Sequence, residues 1–258
     1  MTQAENRGRF VWFDLMTSDP EAAKGFYTRL IGWGTQPWEG SDMPYTMWAN
    51  GEKPLGGLME LPAEAREAGA PPHWLAYVSV PDVDAAVARA RELGGTVFHG
   101  PTDIPNVGRF AVLADPQGAV FAAYTSAGEG AGAAGPPAKG EFSWHELATT
   151  DAAGAFDFYA DLFGWEKQEA MDMGEAGIYQ IYGRGGVPLG GMFNKTAEMP
   201  GPPAWLYYIK VDDVTNAVEK LKELGGTVLN GPMEVPGGDR IAQCMDPQGA
   251  CFALHSSG

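Results

Sequence analysis

The stretch FVWFDLMTSDPEAAKGFYTRLIGW, Phe10 to Trp33, returns as FSWHELATTDAAGAFDFYADLFGW, Phe142 to Trp165, at an offset of 132 residues (142 − 10). Working outward, Trp74 to Ser126 returns as Trp205 to Ser257 at an offset of 131 (205 − 74). A chain of 258 residues that repeats on this scale reads as two homologous domains. A shorter period lies inside each half. Trp12 and Trp74 stand twenty residues before Gly32 and Gly94, and Trp144 and Trp205 keep that distance from Gly164 and Gly225. The chain therefore reads as four copies of one strand-helix-strands module, and function is expected where copies face each other.

Each module opens on a short strand and enters a helix through start signals. In the first, Val11 to Thr17 leads to Ser18-Asp19-Pro20, where Ser18 or Asp19 can cap and Pro20 suits the first turn. Ala23, Phe26, Tyr27 and Leu30 follow at helical spacing, and Gly32 can adopt the left-handed conformation that stops the helix. Asp151, Ala155, Phe158, Tyr159, Leu162 and Gly164 repeat this pattern in the third module. Plainer helices run from Asp82 to Gly94 and from Asp213 to Gly225. Strand signals come after each helix, and the turns Asp115-Pro116-Gln117-Gly118 and Asp246-Pro247-Gln248-Gly249 predict hairpins. One helix and about four strands per module is the expectation. Gly56-Gly57 and Gly190-Gly191 lack a phosphate-loop context, so bulges or close strand packing account for them.

Composition narrows the function. Seventeen basic against thirty-three acidic residues give a formal charge of −16, which opposes nucleic acid. No apolar run approaches the roughly 20 residues of a membrane span, and MTQAENRGRF lacks a signal-peptide core, so a soluble cytoplasmic protein is expected. Cys244 and Cys251 flank a hairpin turn and could face each other across it, with two free thiols the default in a reducing compartment.

The opening strands, the helix ends FYTRLIGW and FYADLFGW, the segment DVDAAVARARELGG and the hairpins LADPQGAVFAAY and MDPQGACFALH together resemble the vicinal oxygen chelate superfamily. Glyoxalase I, bleomycin-resistance proteins, fosfomycin-resistance enzymes and extradiol dioxygenases belong to it. The nearest likeness is to tandem bacterial members labelled as glyoxalases or hydroxylases. The resemblance implies an α+β fold of two tandem domains, 8–126 and 141–258, joined by a Gly/Ala/Pro linker over 127–140. Each domain is then two βαβββ modules forming an open β-barrel cup.

Metal-dependent members take one ligand from the opening strand and one carboxylate from the last strand of each module. The resemblance places the opening-strand ligands at Trp12, Trp74, Trp144 and Trp205, whose neighbours Leu75 and Leu206 are no better. A tryptophan cannot coordinate through its indole nitrogen. The closing carboxylates correspond to Ala122 and Ala253, and the remaining positions lie near Met59-Glu60 and Phe193-Asn194. The usual metal centre is therefore expected to be absent, with no cofactor.

What remains is a Trp-x-acid pair in each half, Trp12/Asp14 and Trp144/Glu146, whose members share a strand face because side chains alternate. If that face looks into the cup, each acid can bind a donor or act as a base; if not, the tryptophan packs and the acid holds a structural partner. Tyr45, Tyr179, Tyr77 and Tyr208 recur on strands and either line a cavity with phenols or pack in the core. His145 falls on the opposite face from Glu146 and reads as a packed or surface histidine. The expected function is binding of a small organic molecule, aromatic or carbonyl-bearing, with Trp12, Trp144, Trp74, Trp205 and the four tyrosines as contacts. The alternative is a glyoxalase-type lyase or isomerase, or a hydroxylase- or dioxygenase-like enzyme, using Asp14 or Glu146 as catalytic residues. Neither nucleic acid nor membrane is an expected partner, and the assembly is a monomer with an internal pseudo-dimer or a homodimer.

Overall fold

The computed structural model describes residues 6–40, 43–128 and 135–258; residues 129–134 of the expected linker lie outside them. The first half runs β1 (Phe10–Thr17), α1 (Pro20–Leu30), β2 (Gly34–Pro37), β3 (Tyr45–Asn50), β4 (Lys53–Glu60), a short α2 (Ala63–Glu67), β5 (His73–Ser79), α3 (Val83–Glu92), β6 (Thr96–Ile104), β7 (Gly108–Ala114) and β8 (Val120–Ser126). The second runs β9 (Phe142–Thr149), α4 (Ala152–Phe163), β10 (Glu166–Asp172), β11 (Ile178–Arg184), β12 (Val187–Asn194), β13 (Ala204–Lys210), α5 (Val214–Glu223), β14 (Thr227–Glu234), β15 (Arg240–Met245) and β16 (Cys251–Ser256).

The two halves form two eight-stranded sheets of matching order, β2-β3-β4-β1-β5-β8-β7-β6 and β10-β11-β12-β9-β13-β16-β15-β14. The helix in each module is the crossover that lets its first and last strands run parallel: β1 with β4, β5 with β8, β9 with β12 and β13 with β16. The fold is α+β in two tandem domains, and each module carries the expected main helix and four strands.

Local chemistry explains the elements. Asp19, Asp82, Asp151 and Asp213 each accept a hydrogen bond from the backbone N–H three residues on, so every main helix is capped by aspartate, with Asp19 rather than Ser18 in the first. Gly164 ends α4 in the left-handed region at φ 70°. In β1/β4, Gly56 lies against the Phe13 carbonyl, where a Cβ would overlap the oxygen, and Gly190 meets the His145 carbonyl in the same way in β9/β12. The strand register also slips beside both glycines, between Trp48 and Ala49 and between Tyr182 and Gly183. Close strand approach and a bulge together therefore account for the paired glycines.

The described residues pack into two compact units, one of residues 6–11, 76–128 and 144–205, the other of residues 12–40, 43–75, 135–143 and 206–258. The first unit gathers modules two and three. Its core takes Val83 and Val87 from α3, Phe158 and Leu162 from α4, Phe121 from β8, and Trp165, Tyr182 and Met192. Arg89 on α3 reaches both carboxylate oxygens of Asp161 on α4 at 2.8 Å. The second unit gathers modules one and four. Phe26 of α1 meets Phe252 of β16 edge-on at 6.1 Å, and Phe13 stacks on Phe142 at 3.7 Å.

The cysteines do not face each other. Cys244 pairs in register with Phe252 and is buried, while Cys251 pairs with Met245 and is exposed, and both are free. Among the described residues no helix is long and apolar enough to cross a membrane.

Candidate functional site

Alternation on β1 puts Trp12 and Asp14 on one face, and β3 brings Tyr45 to them. Trp12 Nε1 donates to Asp14 Oδ1 and to the Tyr45 hydroxyl, both at 2.8 Å, and Tyr45 donates to the same Asp14 oxygen at 2.7 Å. Gly57, paired with Asp14 on β4, makes room for this: a Cβ there would overlap the phenol and crowd Asp14. Asp14 is 3% exposed, whereas Trp12 and Tyr45 are half-buried. Burial first, and the Asp14 charge next, push the Tyr45 phenol far above its ordinary value, so it stays neutral and keeps its proton for the carboxylate.

The second half builds the counterpart. Trp144 Nε1 donates to the Tyr179 hydroxyl at 2.8 Å, and that hydroxyl donates to Glu146 Oε2 at 3.0 Å. Gly191, paired with Glu146, again leaves the room the phenol fills. Glu146 is 8% exposed beneath a half-buried indole and phenol.

Trp74 and Trp205 go elsewhere. Trp74 Nε1 donates to the Tyr27 hydroxyl at 3.1 Å, and Tyr27 donates to Asp246 Oδ2 at 3.1 Å. Trp205 does the same to Tyr159, which donates to Asp115 Oδ2 at 3.0 Å. These chains tie a helix tyrosine to a hairpin-turn aspartate in the core of each unit. Burial pushes both aspartates up, against the pull of their hydrogen bonds. The sequence reading had Tyr27 and Tyr159 only as a helix stripe and the aspartates only as turn residues. Their recurrence at matching places in both halves was the available signal.

Tyr77 and Tyr208 are buried and pair in register with Ala122 and Ala253, the alanines at the family's carboxylate positions. Tyr77 packs on Phe110 at 5.9 Å, and Gln243 Nε2 donates to the Tyr208 hydroxyl at 3.4 Å.

His145 is packed, 7% exposed and stacked on Phe10 at 3.8 Å, with Nδ1 2.7 Å from the Leu189 carbonyl. A carbonyl only accepts, so Nδ1 carries the proton. Burial lowers the imidazole from 6.5 to about 4. The unfolded chain then binds more protons between those values, so this contribution to stability is intact above 6.5 and lost as pH falls toward 4. Relative to His145→Phe, which keeps the stack, the wild type is expected to lose roughly 3 kcal/mol across that window in urea titrations. Parallel pH curves would remove His145 as the cause.

The residues at the family's metal positions do not fit a metal. The Trp12 and Trp144 nitrogens are hydrogen-bond donors, Ala122 and Ala253 have no ligand atom, and Glu60 is an exposed side chain 3.7 Å from Arg66. Among the described residues no three of His, Cys, Asp and Glu gather into a group that could hold a metal ion. Elemental analysis of purified protein is expected to find no stoichiometric divalent metal; one metal per domain surviving mild chelation would overturn this.

A family model described as the glyoxalase/bleomycin resistance protein/dioxygenase superfamily matches residues 9–122 and 141–254. The anthracycline biosynthesis protein DnrV of Streptomyces peucetius is 32% identical over 263 residues, covering 96% of this chain and 92% of its own. CFP32 of Mycobacterium tuberculosis is 40% identical over 121 residues, 46% of this chain and 45% of its own. Among solved structures, the Mn(II)-bound glyoxalase of Novosphingobium aromaticivorans aligns with a TM-score of 0.62 at 17% identity, covering 97% of this chain and 82% of that one. The 2,3-dioxygenase LapB of Pseudomonas sp. KL28 gives 0.64 at 13%, covering 98% and 92%. At these identities the structural likeness concerns the fold.

Proposed function

Because the chain belongs to the glyoxalase/bleomycin resistance protein/dioxygenase superfamily, we propose that it binds a small aromatic, carbonyl-bearing molecule through the Trp12–Tyr45–Asp14 and Trp144–Tyr179–Glu146 groups, without the usual metal. The observation that carries this reading is a buried carboxylate covered by a half-exposed indole and phenol, present in both halves. The rings offer flat apolar faces to an aromatic ligand. Trp12 Nε1 is shared between two acceptors, so a ligand carbonyl can take its hydrogen while Tyr45 still satisfies Asp14. The relative DnrV, an anthracycline biosynthesis protein, supports the ligand class, since anthracyclines are flat aromatic compounds bearing carbonyls.

A glyoxalase-type lyase or isomerase is the alternative. It requires Asp14 or Glu146 to take a proton from carbon. Asp14 Oδ1 already accepts two hydrogen bonds, an arrangement suited to holding a group in place more than to removing a proton.

The test is a calorimetric and tryptophan-fluorescence titration with a hydroxylated anthraquinone. Asp14→Ala and Glu146→Ala are each expected to weaken binding by about 1 to 3 kcal/mol with the fold retained. Unchanged affinity with a lowered melting temperature would make these acids structural and remove the proposal.

A further inference from the structure

Three side chains that the proposed ligand groups do not use come together within the second compact unit. Ser143, on β9, places Oγ 2.8 Å from His255 Nδ1, and His255, on β16, places Nε2 2.9 Å from Asp239 Oδ2. The other Asp239 oxygen accepts the backbone N–H of Gly258 at 3.2 Å. A carboxylate only accepts, so Nε2 carries the imidazole proton and Nδ1 presents its lone pair to the serine hydroxyl. The Tyr208 carbonyl also lies within reach of Ser143, but at 3.3 Å it is the more distant acceptor. The hydrogen bond from His255 is the main cause holding Asp239 below the usual carboxylate range, and the charge of Lys210 adds to it. All three side chains are partly exposed.

The first half of the chain does without this arrangement. At the repeat offset its positions hold Val11, Gly108 and Tyr124, and the same strands form there. The fold therefore does not require Ser143, His255 and Asp239, which leaves a chemical role to account for them.

We infer that Ser143 is a nucleophile for acyl transfer, with His255 as its general base and Asp239 fixing the imidazole tautomer, and that its substrate class is a short-chain activated carboxylic ester. Roles, not chain order or the choice of ring nitrogen, define such a constellation. Ser143 Oγ bonds to the ester carbonyl carbon as its proton passes to His255 Nδ1. The bond to the leaving alcohol then breaks, and the same proton passes to the departing oxygen. Water then attacks the acyl carbon as its proton passes to His255 Nδ1, the Ser143 Oγ–carbon bond breaks, and that proton returns to Oγ, releasing the carboxylic acid and restoring Ser143. Lys210, in register with His255 on β13, supplies a positive charge beside the group while the oxyanion forms.

The experiment treats the full-length protein with a fluorophosphonate probe, maps the adduct by mass spectrometry, and follows p-nitrophenyl acetate hydrolysis. One equivalent of probe on Ser143 is expected, with a matching burst of p-nitrophenol. Both are expected to vanish in Ser143→Ala and to slow by about 100-fold or more in His255→Gln. Asp239→Asn, which keeps the side-chain shape and removes the charge that fixes the imidazole, serves if His255→Gln does not fold, with a smaller slowing expected. The inference is overturned if the folded wild type carries no adduct on Ser143, or if the folded His255→Gln or Asp239→Asn protein reacts as fast as wild type.

Discussion

Asp246→Ala lowers stability by about 3 kcal/mol, read as a shifted urea midpoint with unchanged slope, because one buried carboxylate holds both a turn and a helix. Its Oδ1 accepts from the backbone N–H groups of Gln248 and Ala250, each at 2.9 Å, and Oδ2 accepts from Tyr27, which in turn accepts from Trp74. Truncation leaves a wholly buried phenol and two turn amides without their acceptor; the relief of the aspartate's own desolvation offsets part of that loss. Asp246→Asn keeps one carbonyl oxygen for the turn and is expected to recover about half. Asp115→Ala behaves alike through Tyr159, Gln117 and Ala119. In a double-mutant cycle, Asp246→Ala and Tyr27→Phe couple by more than 1 kcal/mol; strictly additive effects would show that the turn amides alone carry the cost.

Gly190→Ala costs about 3 to 4 kcal/mol, more than Gly191→Ala, although the two glycines are adjacent on one strand. The reason is what each new methyl meets. At 190 it overlaps the His145 carbonyl, a backbone atom fixed by the parallel β9/β12 pairing, so the strands themselves must part. At 191 it meets the Tyr179 phenol, which can swing away at the cost of its bonds to Trp144 and Glu146. Gly56 and Gly57 form the same pair against the Phe13 carbonyl and the Tyr45 phenol. Gly57→Ala and Gly191→Ala therefore leave a folded protein with a red-shifted tryptophan emission and weakened ligand binding. Equal destabilisation by all four alanines would contradict this division between backbone and side-chain contacts.

The sequence by itself determined the four modules, the helix-start signals, the hairpin turns and which side chains stand where the resemblance expects metal ligands. Each of these is a local matter: a cap acts on an N–H three residues away, a turn spans four residues, and the side chain at Trp12 or Ala122 either has a ligand atom or lacks one. Strand alternation likewise put Trp12 with Asp14, and their side chains do meet. Only the tertiary structure decided which distant groups complete these pairs. Tyr45 comes to Asp14 because Gly57 leaves room between their strands, and Tyr27 finds Asp246 from 219 residues away. Trp74 and Trp205, equivalent to Trp12 and Trp144 by repeat, turn to the helix tyrosines instead. The grouping of module one with four and two with three, and the meeting of Ser143 with His255, were equally silent in the sequence. Periodicity reports which face of an element is apolar, but it carries no information on which of several similar apolar faces will close over it; that choice is made by the packing of side chains far apart in the chain.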